Sequence, residues 1–495
     1  MKFLGRQQIR NNEARWGIEL MRRLLCFLLL AAVFAGCAQV KQAPPDAWLA
    51  GDHHIHSQYS GTWNWDVQPP VMTVGGEGIY SIPTNAQMAL NHGLSWMVAT
   101  DHGGRMHAKV NLEQAYPELL QSRQDVPEVI QFFGFEMNTP GADHSSVIVP
   151  HTHDEAERVW QIESQFDKDG ASKDEADRNA TSKMIEALLE MTAFPELPIV
   201  IANHPSRQPQ NNGKYGMTSP AHLRAWNDAA PDIAVGMAGA PGHQAAALNP
   251  DGTVGTDREY ARGAYDVQPT FGGFDIMTAE LGGFWDSMLG EGRRWWITAN
   301  SDSHEHYREG GIDFWPGEYA KTYVYGQKTH DGILSSLRSG KVFVTTGDLV
   351  SELYVTVETA DGNAAGIGGT VVTNDDEQVT VTIRLRDPAE ENHGGTSPAV
   401  NRVDVIIGDI SGPQDDPDHH SNPSTRVLHR FDADDWSRDG EVLTMSVTIE
   451  SNEHDYYVRV RGTNTNEPEP LPDIKGDNPW DDLWFYSNPV FVTID

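Results

Sequence analysis

Two hydrophobic patterns divide the chain. Between residues 47 and 348, apolar runs of strand length are followed by Gly/Pro turns and then by helical stretches. Continuous apolar strands that alternate with helices are typical of buried parallel strands, so this region is predicted to be an α/β sheet or barrel. Helices are predicted over 84–92, 174–193, 219–228 and 329–339. The predicted strands are AWLAGD, GLSWMVAT, VIQFFGF, SSVIVP, LPIVIAN, DIAVGMA, RRWWITAN and AKTYVYG.

The pattern changes at about residue 349. Segments such as ELYVTVETADG, QVTVTIRLRD and DYYVRVRG alternate apolar and polar residues, and turn clusters rather than helical stretches separate them. A period of two in several short strands predicts an antiparallel β-sandwich over 349–495.

The N-terminal segment has the features of an export signal. Arg22 and Arg23 precede the apolar run LLCFLLLAAVFAG, which ends at Cys37. This run of about 13 residues is shorter than the roughly 20 needed to span a bilayer. The pattern predicts a lipoprotein-type signal peptide over 21–37, with lipid attachment at Cys37. An ordinary cleaved signal and an N-terminal anchor helix are the alternatives.

The flanking segments complete this prediction. Residues 1–20 are interpreted as a non-native upstream extension, and residues 38–46 as a polar tether. The mature protein is expected at the periplasmic face of a bacterial membrane, the outer one being favoured, and to contact the membrane only through its lipid. Cys26 leaves with the signal, so cysteine nucleophiles and thiolate zinc sites are excluded.

The charge balance bears on partners. The chain has 36 Lys and Arg against 71 Asp and Glu, a formal net charge of −35. No basic patch is visible, which predicts that nucleic acid is not a partner. A small anionic substrate remains compatible, because a bound metal reverses the local field.

Histidines and carboxylates collect at the ends of the predicted strands. In GDHHIHS, His54 and His56 share one face of a strand with Asp52, while His53 points to the other face. His144 stands before its strand instead of after it. The remaining strand-end candidates are Asp101, His102, Glu136, His204, Asp302 and His304. In α/β barrels the carboxyl ends of the strands form the catalytic face, so these side chains are predicted to converge on a metal site.

The ligand types restrict the metal. Imidazoles and carboxylates without thiolate suit Zn, Mn or Fe. Six imidazoles and three carboxylates exceed the needs of one tetrahedral ion, so two or three divalent ions are predicted.

The motifs GDHHIHS, ATDHGG, GFEMNT, NHPS and NSDSH resemble, in order and approximate spacing, the polymerase-and-histidinol-phosphatase (PHP) family of metal-dependent hydrolases. The resemblance covers about residues 50–348 and implies a distorted TIM-like (β/α)7 barrel and a phosphoesterase activity. It implies a first metal held by His54, His56 and Asp302, a bridging Glu136, and a second metal held by His144 and His204. It leaves His102 and His304 for a third metal.

One position departs from the family pattern. Gly61 stands where the family has a further ligand, and Asp66 is the candidate to replace it. His102 and His304 are therefore also candidates for catalytic roles, as general acid or substrate contact. The amidohydrolase superfamily also begins with H-x-H, but no predicted strand here ends in the lysine that often bridges its metals.

Three further residues follow ligand positions or strand ends. Arg105 and Arg207 are candidate substrate contacts because arginine forks suit phosphate, and His243 in GAPGHQ is a third candidate. The favoured hypothesis is hydrolysis of small phosphate mono- or diesters by a metal-bridged hydroxide. The alternatives are a metallohydrolase of ester, amide or glycosidic bonds, and a non-catalytic metal- or glycan-binding lipoprotein.

Overall fold

The computed structural model describes residues 45–170, 178–207, 214–256, 258, 260–265, 268–450 and 452–495. Residues 46–495 form one compact unit. The predicted signal peptide, Cys37 and nearly all of the tether lie outside the described residues. Within those residues, no helix is both long enough and apolar enough to cross a membrane.

The eight strands predicted for the first region all form, together with three others. Their bounds are β1 Ala47–Ile55, β2 Thr62–Asn64, β3 Val71–Thr73, β4 Trp96–Ala99, β5 Ile130–Asn138, β6 His144–Ile148, β7 Ile199–Asn203, β8 Ala234–Ala240, β9 Trp296–Ala299, β10 Ala320–Gly326 and β11 Val342–Thr346. Strands β4 and β7–β9 are buried along their whole length, as the continuous apolar runs predict.

Helices connect these strands. Their bounds are α1 Ile82–Asn91, α2 His107–Val110, α3 Tyr116–Asp125, α4 Glu155–Phe166, α5 Thr181–Met191, α6 Pro220–Ala229, α7 Ile276–Ala279, α8 Phe284–Gly290 and α9 His330–Ser339, and a π-turn over Asn111–Ala115 precedes α3. Local sequence explains several boundaries. The Ser81 hydroxyl caps α1, Ser219 forms a capping box with His222 at α6, and Gly340 ends α9 in the left-handed conformation.

Strand direction decides which residues share an edge of the sheet. The order is β10-β1-β4-β5-β6-β7-β8-β9, in which β1, β4, β5, β7, β8 and β9 run in one direction. Strand β6 is antiparallel to both β5 and β7, and β10 is antiparallel to β1. The predicted closed barrel is not shown, because the ladder is an open path. One isolated parallel bridge joins Ile55, the last residue of β1, to Ser303 in the segment that follows β9.

The strands beyond residue 349 fall into two sheets. They are β12 Glu352–Thr359, β13 Ala364–Gly366, β14 Thr370–Thr373, β15 Val379–Arg386, β16 Arg402–Asp409, β17 Arg426–Phe431, β18 Ser437–Asp439, β19 Val442–Ile449, β20 Tyr456–Thr463, β21 Trp484–Ser487 and β22 Val490–Ile494. Five of them form the sheet β13-β12-β15-β19-β18. The others continue the large sheet through the antiparallel pairing of β11 with β21.

The two regions share one hydrophobic core. Buried side chains from Leu49 in β1 to Val492 in β22 belong to a single contiguous cluster. The domain boundary predicted at residue 348 therefore falls within a continuous sheet and a continuous core. This packing provides a rigid support for the loops at the carboxyl edge of the parallel strands.

Candidate metal centre

Strand β1 presents its alternate side chains to two different environments. The imidazoles of His54 and His56 lie on one side, with their Nε2 atoms 2.9 Å apart. His53 points to the opposite side, where its ring nitrogens contact the hydroxyls of Ser146 and Thr298. Asp52 accepts hydrogen bonds from the backbone N–H groups of His54 and Ser301, so it fixes the backbone. The period of two thus separates two candidate ligands from a packed neighbour.

The reversed direction of β6 explains the position of His144. Because β6 runs opposite to its neighbours, its first residue lies at the edge where they end. His144 pairs in register with Asn138 near the end of β5 and with Asn203 at the end of β7. The residue that looked irregular in the sequence therefore belongs to the same edge as the others.

The first group of ligand atoms surrounds one point. His54 Nε2 lies 3.1 Å from Glu136 Oε1 and 3.2 Å from Asp302 Oδ1. His56 Nε2 lies 3.2 Å from the same Asp302 oxygen and 3.5 Å from Glu136 Oε2. These side chains are buried, so water does not solvate the carboxylates.

A second group shares Glu136. Its Oε1 atom lies 3.1 Å from His144 Nδ1 and 3.2 Å from His204 Nε2. The other nitrogen of His204 faces the buried Asp143 at 3.3 Å. A carboxylate behind a ligating histidine fixes the ring orientation and raises its basicity. Sequence reasoning missed Asp143, although it stands directly before His144.

A third group lies nearer the solvent. His102 and His304 place their Nε2 atoms 3.3 Å apart, and His102 Nδ1 lies 3.0 Å from Glu136 Oε2. Glu77 contributes the carboxylate here, with its Oε2 atom 2.9 Å from His102 Nε2. Asp66, the predicted replacement at this position, is exposed in the turn between β2 and β3. The chain leaves the edge after Gly61 and returns to it at Glu77.

The donor set of the first group fits a cation. The Ser60 hydroxyl donates to Asp101, so it must accept from His56 Nδ1–H, which leaves His56 Nε2 as a bare lone pair. Asp302 Oδ1 and His54 Nδ1 have no hydrogen-bond partner among the described residues. Lone pairs that converge in a buried site are unfavourable unless a positive charge lies between them. These groups could hold metal, and five overlapping trios of this kind occur here.

Asp101 does not join these groups. Its Oδ1 atom accepts from Ser57 N–H and the Ser60 hydroxyl, and its Oδ2 atom accepts from the Ser57 hydroxyl. Both of its oxygens already accept hydrogen bonds, and the role of Asp101 as a ligand stays a prediction. It acts on the site through Ser60, which holds the ring of His56.

His243 contacts a proposed ligand. Its Nε2 atom lies 2.9 Å from Asp302 Oδ2, and its Nδ1 atom lies 2.5 Å from Asp313 Oδ1. The other oxygen of Asp313 accepts from the backbone N–H groups of His304 and Glu305. Asp313, which sequence reasoning also missed, lies in the loop HYREGGIDFWPGEY and orients residues on both sides of the cluster.

A cavity of about 380 Å³ opens above the cluster. Glu77, His102, His144, Arg207 and His243 line it, together with the residues around Asp313. The Arg207 guanidinium lies 3.5 Å from His144 Nδ1 and 3.7 Å from Asp143, so it faces the second group. Arg105 does not line the cavity and is exposed beside it.

Backbone strain accumulates at the same edge. His204, His243 and Asp302 have φ angles of 28°, 62° and 48°, in a region that residues with a Cβ rarely adopt. Such conformations cost about 1–3 kcal/mol each and persist where the surroundings enforce them. All three follow a strand end and turn a side chain into the cluster.

Charged imidazoles around Glu136 and Asp302 lower the pKa of both carboxylates. Burial acts to raise the pKa of Asp302, but His54 and His243 hold it well below its usual range. Burial likewise opposes ionisation of Glu136, and His144 and His54 outweigh it, so its pKa is also low. For His102, burial disfavours the charged ring, but contacts with Glu136 and Glu77 raise the pKa to about 10. Both carboxylates are therefore ionised at neutral pH.

Three solved structures resemble parts of the chain. An Endonuclease Q complex with a 27-mer duplex substrate that carries an abasic lesion matches at 13% identity and a TM-score of 0.29, over 60% of this chain and 56% of that one. The lesion-specific endonuclease PfuEndoQ from Pyrococcus furiosus matches at 14% and 0.31, over 59% and 56%. PsfC from Pseudomonas syringae matches at 12% and 0.28, over 56% and 82%.

These comparisons do not establish a family for the chain. The chain spans little more than half the length of the two endonuclease structures, and all three TM-scores lie below 0.5. No protein-family model matches the chain. No curated protein matches it significantly either. The resemblance to the PHP family therefore stays a prediction.

The predicted absence of a nucleic-acid partner is corrected by one of these structures, which contains a DNA duplex. The physical reason is that a net charge of −35 is summed over the whole chain. A phosphodiester at the cavity would instead meet Arg207 and any cation held by the cluster. Nucleic acid is therefore not excluded.

Proposed function

We propose that the protein is a metal-dependent hydrolase of phosphoesters, with a PHP-type centre on a distorted seven-stranded barrel formed by β1 and β4–β9. The observation that carries the proposal is the buried convergence of His54, His56, Glu136 and Asp302, in which Asp302 Oδ1 has no hydrogen-bond partner among the described residues. The cavity size favours a small ester at the reacting centre.

Different residues would hold different ions. His54, His56 and Asp302 would hold one ion, His144 and His204 a second, and His102, His304 and Glu77 a third, with Glu136 shared among them. Divalent ions supply a water of lowered pKa and offset charge on the phosphoryl oxygens.

The protein itself orients these groups and the substrate. Ser60 and Asp101 fix the ring of His56, and Asp143 fixes that of His204. Arg207 lines the cavity with a guanidinium that suits phosphate oxygens. His304 and His102 face the cavity, and where the third ion does not bind they would be placed to move a proton at the leaving oxygen.

A substrate panel on the metal-stripped and reconstituted full chain tests the proposal. We expect release of product from aryl phosphate mono- or diesters only after Zn, Mn or Fe is restored. Turnover that survives chelation would contradict it. Metal-dependent cleavage of aryl carboxylate esters, amides or glycosides without phosphoesters would identify a different bond. A short DNA duplex in the panel would show whether the substrate is a nucleic acid.

We also propose that the protein is exported and anchored by a lipid on Cys37. The support is the sequence pattern of residues 21–37 alone. Labelled palmitate should enter the wild-type protein and not Cys37→Ala in a bacterial host. Equal labelling of both would contradict the proposal.

A further inference from the structure

An exposed apolar surface lies beside the candidate metal centre. Strands β2 and β3 form a hairpin whose turn and flanks expose Trp65, Val67, Val71 and Val74. Met106, on the loop after His102, is also exposed. Exposed apolar groups that collect at one place mark a binding surface more often than scattered ones do.

Contacts tie this hairpin to the site. The Arg105 guanidinium lies 4.3 Å from the centre of the Trp65 ring. Trp63 packs between Trp65 and His107, at 5.6 and 6.1 Å between ring centres. Because Arg105 follows His102 by three residues, their Cα atoms lie within about 11 Å of each other. The hairpin also continues into Glu77, which contacts His102 directly.

Arg105 makes this surface more than an apolar patch. Among the described contacts it forms no ion pair or hydrogen bond, although the chain is rich in carboxylates. A guanidinium that lies over an indole, with no carboxylate partner among the described residues, can stack a further planar ring and attract an adjacent anionic group. An aliphatic surface alone would lack both preferences.

We propose that Trp65 and Arg105 form a subsite for a planar aromatic group of the substrate, such as an aryl group or a nucleobase attached to the phosphoester. This inference rests on the proposed function and specifies its substrate class. The phosphoryl group would lie in the cavity at Arg207 and His304, and the attached ring would extend over His102 toward the hairpin.

Binding of two non-hydrolysable probes tests the subsite without requiring turnover. Calorimetry on the metal-loaded full chain measures Kd for phenylphosphonate and for ethylphosphonate. We expect the wild-type protein to prefer the phenyl probe about tenfold, the effect of one aromatic stacking partner, and Trp65→Ala to lose that preference. Trp65→Phe should keep most of it.

Trp160 provides the matched control. It is 45% exposed on α4, similar to Trp65 at 39%, and does not line the cavity. Trp160→Ala should leave the ratio of the two Kd values unchanged. An unchanged ratio in Trp65→Ala, an equal change in both variants, or no binding of either probe would overturn the inference. Binding of both proteins to phosphatidylglycerol vesicles is measured as well. A Trp65→Ala effect that appears in vesicle binding but not in the two Kd values would also overturn the inference. Failure of the hydrolase proposal would appear separately, as absent turnover with intact probe binding.

Discussion

Two of the regions in which the molecule buries charge are organised in opposite ways. Where α8 meets β20, Asp286 accepts two hydrogen bonds from Arg459, at 2.8 and 2.7 Å, and a third from the Tyr457 hydroxyl. At the edge of the parallel strands, the carboxylates of Glu136 and Asp302 are surrounded by imidazoles instead.

The difference separates a structural contact from a functional one. An arginine fork on a carboxylate satisfies both partners within the protein and joins the two regions of the fold. In the strand-end cluster, Asp302 Oδ1 has no hydrogen-bond partner among the described residues, and a bound cation would supply the contact that the protein does not. Removing a partner should therefore damage the fold in the first region and metal binding in the second.

The largest expected effect is on stability, in Arg459→Met. Loss of the guanidinium leaves Asp286 buried and uncompensated, which costs about 3–5 kcal/mol. The free energy of unfolding in urea measures this cost. Lys183→Met is the control, since Lys183 and its partner Glu186 are 34% and 53% exposed and their ion pair contributes at most about 1 kcal/mol. Equal effects in both variants would remove the distinction between buried and exposed pairs.

His54→Ala should show the opposite behaviour. Loss of a proposed ligand is expected to lower kcat by more than the roughly 10–100-fold typical of groups that only support ligands. Urea unfolding of the metal-free variant should be no less cooperative than that of the wild type, because the variant relieves a crowded cluster. Normal metal content with normal turnover would contradict the role of His54.

Asp313→Asn tests whether the loop residue acts through the ligands. The amide nitrogen cannot accept the hydrogen bonds that Asp313 receives, so metal affinity should fall about 10–100-fold. Chelator competition and the visible spectrum of the cobalt-substituted protein measure this change. Glu318→Gln is the control, since Glu318 contacts His306 and the Trp315 N–H in the same loop. An equal loss in Glu318→Gln would assign the effect to the loop in general.

The smallest expected effect belongs to Glu77→Gln. Glu77 is half exposed and contacts only the outermost group, so one ion should bind about tenfold more weakly while the others are retained. Metal titration followed by calorimetry resolves the separate events. Glu309→Gln, which removes a surface carboxylate bonded to Tyr80, should change none of them. A uniform weakening of all ions would contradict a separate third site.

The two-residue period of the strands predicted much of the site, but the direction of each strand could not be read from the sequence. Strands that end at one edge predict that five candidate ligands converge there, namely His54, His56, Glu136, His204 and Asp302. The place of His144 depends on β6 being reversed, and an apolar run carries no sign of direction. The two-residue alternation that selects His54 ends with the strand, so it could not place Asp101, whose oxygens face Ser57 and Ser60.

Loop residues and domain borders were harder to predict. Glu77 and Asp313 reach the cluster through loops whose paths depend on tertiary contacts such as that of Tyr80 with Glu309. The alternating strands after residue 349 were correctly located. Their merger with the first region through β11 and β21 depends on backbone pairing between segments far apart in sequence.

Equilibrium dialysis of the full chain against Zn or Mn, with bound metal counted by atomic emission, tests the central claim most directly. The strand-end cluster predicts two or three ions per wild-type chain. Glu136→Gln, which removes the charge shared by all three groups, should retain at most one tightly bound ion. No more than one ion in the wild type, or equal metal content in both proteins, would contradict the account.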